Sequence, residues 1–141
     1  MIFYNKAIIV PFIAWFIAQA LKVAFVLIKD KKLNFKRFIE TGGMPSSHSA
    51  LVISLATIVG RMCGVQSVEF AIASIFAAII MYDASGVRRA AGKQAEALNR
   101  LIEEFYVEKP RVDERLKELL GHTPTEVFAG AGLGFLIGMI F

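Results

Sequence analysis

A histidine in the first turn of an apolar helix, preceded by two glycines, a proline and two serines, can seat an anion and hand it a proton. That arrangement occurs once, at Gly42-Gly43-Met44-Pro45-Ser46-Ser47-His48-Ser49-Ala50. The glycines let backbone approach a ligand closely, Pro45 fixes the entry, and Ser46 or Ser47 is a natural N-cap for the run through Leu51, Val52, Ile53 and Leu55. The free N–H groups at such a helix start amount to roughly half a positive charge, so a phosphate is stabilised there before any side chain acts. His48 then stands where it can protonate a phosphate oxygen. The same nine residues also read as an ordinary serine cap with a histidine at a membrane interface.

Other polar residues have no evident purpose in so apolar a chain: Lys22, Asp83, Arg88, Arg89, Lys93, His122 and Glu126. With Ser46, Ser47 and His48 they include both histidines of the chain. If these positions meet, two imidazoles and several cations surround a volume suited to a phosphoryl group. One histidine attacks phosphorus while the other protonates the leaving oxygen, and arginine forks with helix N-termini hold the remaining oxygens. Each residue also has a plainer reading. Lys22 can snorkel to the interface, Asp83 can pair with Arg88 or Arg89 at a helix end, and Thr123-Pro124-Thr125-Glu126 is a capping box.

The elements that must position them are membrane-grade. The 141 residues are 56% hydrophobic, with a mean hydropathy of +0.58, more apolar than a soluble globule of this size. The reading is an all-α, polytopic membrane bundle forming a single domain over residues 1–141. Its four spans are expected at about Ala7–Ile28, Ser47–Cys63, Val68–Tyr82 and Pro124–Phe141. The first run continues past the small residues Ala18-Gln19-Ala20, so it is expected to remain as an anchor. Leu98, Leu101, Ile102 and Phe105, spaced i, i+3, i+4, i+7, predict an amphipathic helix lying on the bilayer or on the other helices. A second short helix is expected over Val112–Leu120, and an interfacial helical turn within residues 29 to 41. Gly130, Gly134 and Gly138 form a close-packing face that serves either the bundle or a homodimer.

Charge sets the orientation. All of the sixteen lysines and arginines except Lys6, Lys22 and Arg61 fall in the segments 29 to 41 and 88 to 123. The positive-inside rule places both segments, and with them the polar cluster, in the cytoplasm. The net charge of +4 lacks the aromatic-basic ribbon of a nucleic-acid binder, so nucleic acid is not an expected partner; the bilayer is. Cys63 is the sole cysteine, which rules out an intrachain disulfide and a cysteine metal cluster.

Pro45-Ser46-Ser47-His48 resembles the Pro-Ser-Gly-His signature of the type 2 phosphatidic acid phosphatases, which share a helical core with vanadium haloperoxidases. Together with Tyr82-Asp83-Ala84, Gly86-Val87-Arg88-Arg89 and Gly121-His122-Thr123-Pro124, it makes nearly the whole chain look like the divergent branch of that superfamily. The resemblance implies Lys22 as the phosphate-binding lysine, Ser46 and His48 as the second motif, and His122 as nucleophile oriented by Glu126. Asp83 is a candidate relay; Ser47, Arg88, Arg89 and Lys93 are candidate phosphate ligands. Three departures stand out. Ser47 replaces the signature glycine, Lys29-Asp30 stands where Arg-Pro belongs, and Leu116, beside Arg115, takes the place of the third-motif arginine.

The function so implied is a metal- and cofactor-independent lipid phosphatase in a bacterial cell membrane, cleaving a phosphate monoester at the cytoplasmic face through a phosphohistidine. The alternative is a silent scaffold or lipid-phosphate binding protein on the same fold.

Overall fold

The computed structural model describes residues 5–30, 43–105 and 121–141, which form five helices: α1 (Lys6–Asp30), α2 (Ser47–Cys63), α3 (Val68–Ser85), α4 (Val87–Phe105) and α5 (Pro124–Ile140). No strand occurs among the described residues. The expected interfacial turn before Gly42 and the short helix at Val112–Leu120, with Arg115 and Leu116, lie outside them.

Four of the five helix starts, those of α1, α2, α3 and α5, carry a side-chain cap. Asn5 Oδ1 accepts the Ala7 amide at 3.0 Å, Ser46 accepts the Ser49 amide, Ser67 accepts the Phe70 amide, and Thr123 with Glu126 completes a capping box on α5. Gly64, at φ 88°, ends α2 in a conformation that costs a side-chain residue strain, and the chain turns at once into α3.

α2 lies at the centre and touches α1, α3 and α5. The contacts are built from small side chains, Ala14 and Ala18 on α1, Ala50 and Ala56 on α2, Ala73 and Ala77 on α3, so the helices approach closely. The glycine face of α5 is used inside the bundle. A Cβ at Gly130 would run into the Ser46 carbonyl, one at Gly134 into the Ala50 carbonyl, and one at Gly138 would lie 2.7 Å from Thr57 Cβ. Only hydrogen at these positions lets α5 lie directly along the α2 backbone.

Large apolar side chains point the other way. Phe12, Phe16, Ile72, Ile75, Phe128 and Phe135 are all exposed, the reverse of a soluble domain. Among the described residues two stretches, Lys6–Phe25 and the α3–α4 run from Val68, are long and apolar enough to cross a bilayer. α2 and α5 are apolar helices of 17 residues each. At 1.5 Å per residue they reach about 25 Å, the lower limit for a span.

α4 packs on α3 alone among the described helices. Leu98, Leu101 and Phe105, the apolar face read from spacing, are exposed rather than covered by other helices, while Asn99 is buried.

Candidate functional site

On α1 a buried row at four-residue spacing, Val10, Ala14 and Ala18, faces the bundle and continues to Lys22. The periodicity that packs α1 therefore carries a lysine inward. Lys22 is only 4% exposed, and its Nζ donates to Ser47 Oγ at 3.4 Å. It does not snorkel: an ammonium in an apolar span needs a partner, and here the partner is the α2 N-terminus.

That terminus is a serine knot. Ser46 Oγ accepts from the Ser49 amide at 3.4 Å and from the Ser49 hydroxyl at 3.1 Å, and Ser46, Ser47 and Ser49 are all buried. Ser49 was not among the residues singled out from the sequence; its only signal was a third serine in the capping stretch. The Ser46 amide donates to the Glu126 carbonyl at 3.0 Å, an approach that Gly130 permits. α2 and α5 thus begin side by side and run parallel, so both positive helix ends point into one region.

The two histidines meet there. The His48 and His122 rings stand 6.2 Å apart between centroids, inclined at 63°. His122 is 2% exposed and is held from two directions. Its amide donates to the Ala84 carbonyl at the end of α3 at 3.0 Å, and its Nδ1 lies 3.2 Å from Glu126 Oε2. A carboxylate only accepts, so the proton of this contact sits on Nδ1, and Nε2 is the ring nitrogen on the other side. The same Oε2 accepts the Thr123 amide at 3.0 Å, so capping α5 and fixing the imidazole fall to one atom. Glu126 also lies within Coulombic reach of Lys22.

The structure therefore gathers Lys22, Ser46, Ser47, His48, His122 and Glu126 at one end of the bundle. Asp83 sits half-buried next to Ala84 at the same end. The side chains of Arg88 and Arg89 are outside the described part. Lys93 is not brought to the cluster. It is exposed on α4, lining a surface groove with Glu96 and Arg100, because α4 contacts only α3 and turns its charges outward. Among the described residues no three of His, Cys, Asp and Glu are grouped to hold a metal ion.

At the opposite end Arg61 donates to the Gly138 and Met139 carbonyls at 2.8 Å, and Lys6 donates to the Phe141 carbonyl at 3.0 Å. These two cations complement the negative end of α5.

Compared with known proteins, residues 3–137 match the family described as the Divergent PAP2 family. The chain belongs to the Divergent PAP2 family. A curated relative, the uncharacterized membrane protein YuiD of Bacillus subtilis (strain 168), is 45% identical over 134 residues, covering 87% of this chain and 85% of its own length. No solved structure matches. The relative's description agrees with the apolar, outward-facing surface of the helices.

Proposed function

We propose that this Divergent PAP2 protein is an integral membrane phosphatase for lipid phosphate monoesters. α1, α2, α3 and α5 cross the bilayer, and the histidine end faces the cytoplasm, where most basic residues of the chain lie. The observation that carries the reading is the His48–His122 pair with Glu126 behind His122. Nε2 of His122 attacks phosphorus and the bond to the alcohol oxygen breaks. His48 gives that oxygen its proton. Water then attacks the phosphohistidine with His48 as base, releasing phosphate and restoring both imidazoles. Lys22, the Ser46 and Ser47 hydroxyls and the start of α2 hold the non-bridging oxygens.

The test is phosphate release by the purified protein from a panel of phosphatidate, phosphatidylglycerophosphate and polyprenyl phosphates, with EDTA present. His122→Ala is expected to abolish release, and unchanged activity in that variant removes the nucleophile.

One observation favours a second reading, a lipid-phosphate binding protein without turnover. Ser47 places a buried side chain against Lys22 where the signature has glycine. Vanadate protection without hydrolysis across the whole panel would decide for it.

A further inference from the structure

An apolar groove of about 750 Å³ runs between α2, α3 and α5. It opens beside Tyr82, Ser85 and Pro124 at the histidine end and extends to Arg61, Phe70 and Met139 at the other. From Phe70 to Ser85 along α3 this is about 22 Å at the helical rise, most of a hydrocarbon layer.

Three of the polar side chains on its wall are engaged with main chain. Thr57 Oγ1 donates to the Ile53 carbonyl at 2.7 Å, Ser85 Oγ donates to the Met81 carbonyl at 3.0 Å, and Arg61 is engaged with the end of α5. Apart from Ser74 and the Tyr82 hydroxyl, what lines the groove is mostly methyl, methylene and ring surface, which water does not favour.

The groove and the histidine site share two walls. Val127 lines the groove while its neighbour Glu126 holds His122, and Ser85 lines it while its neighbour Ala84 accepts the His122 amide. A molecule lying in the groove thus ends within about one helical turn of the imidazoles. A transmembrane helix is the wrong size: at 10 Å diameter and the same length it fills roughly 1,700 Å³, so more than half would stand outside. The volume suits a ligand of lipid size.

The geometry points to this groove as the seat of a single long hydrocarbon chain of the lipid phosphate whose headgroup His48 and His122 receive. The assignment rests on the phosphatase reading for the headgroup, and on the α2/α3/α5 wall for the chain. It makes the preferred substrate long-chained.

Ala78→Trp and Ser74→Phe, two groove-lining positions outside the histidine site, fill it. Wild-type protein is expected to favour dioleoyl phosphatidate over dihexanoyl phosphatidate by about tenfold or more in kcat/KM. In either variant the KM for the long substrate should rise by about that factor, while its kcat and the short-chain kinetics stay put. Equal effects on both substrates, or no chain-length preference in wild type, overturn the assignment.

A second readout is independent of turnover. Phosphatidate with a diazirine in its acyl chain should label α3 and α5 peptides in competition with vanadate, and diazirine-bearing diacylglycerol should label them far less. Equal, vanadate-insensitive labelling by both lipids means general bilayer contact and overturns it. So does a cross-linked dimer that the two substitutions abolish. If nothing is hydrolysed yet the labelling follows expectation, the phosphatase reading falls and the groove stands.

Discussion

Glu126 Oε2 lies 3.2 Å from His122 Nδ1 while accepting the Thr123 amide at 3.0 Å. The orientation of the imidazole is thereby tied to the first turn of α5, and the two roles can be separated by substitution. Glu126→Gln keeps an acceptor for the capping box but loses the carboxylate that fixes the tautomer, so turnover should fall by about 10²-fold or more with thermal stability nearly unchanged. Thr123→Ala should do the converse, lowering stability by about 1 kcal/mol and largely retaining turnover. Glu126→Gln at wild-type rate would show the carboxylate to be a cap only.

Lys22 is the buried cation of the site among the described residues, donating to Ser47 from inside an apolar helix. Lys22→Met removes the charge while keeping the side chain's length, and should abolish the vanadate-induced rise in Tm without lowering Tm in vanadate's absence. A variant that still responds fully to vanadate would show that Lys22 serves only the packing of α1 on α2.

The glycine face gives a graded set. Gly130→Ala and Gly134→Ala push a methyl into main-chain carbonyls that cannot move aside, and each should destabilise by about 1–3 kcal/mol in detergent. Gly132→Ala meets nothing within 4 Å and should be neutral or slightly stabilising, since alanine favours the helix by up to about 1 kcal/mol. Equal effects at all three positions would contradict the close approach of α5 to α2.

Arg61 and Lys6 brace the far end of α5. Arg61→Ala should lower Tm through loss of two carbonyl contacts, each worth about 1 kcal/mol, and leave the KM and kcat of the folded fraction unchanged. A change in kcat would mean that the two ends of the bundle communicate.

Cys63 is the only cysteine and is exposed at the end away from the histidines. With the histidine end cytoplasmic, a membrane-impermeant maleimide should label it in intact cells. Labelling only after lysis reverses the orientation.

Much of this was legible in the sequence because hydropathy and caps act locally. The run at Ser47–Cys63 was bounded by a serine cap and a glycine stop, and α2 has those bounds. The third span ended at Tyr82 by hydropathy, whereas α3 runs to Ser85, since a polar residue in a last turn does not break a helix. The spacing of Gly130, Gly134 and Gly138 announced a close approach but not its partner, because a small-residue face says how near a neighbour lies and not which one it is. Lys93 stands apart from the cluster for a related reason. Its charge and position in the chain suggested the site, but what α4 packs against is a long-range fact that no local pattern carries.

The absence of side chains between α5 and α2 has a mechanical consequence. His48 and His122 each stand within one turn of a place where main chain rests on main chain, with no intervening rotamer to relax. The gap between the two imidazoles is thus gauged by rigid backbone, like jaws set on a common bar, and any opening that admits a bulky headgroup must come from movement of the other helices around that fixed pair.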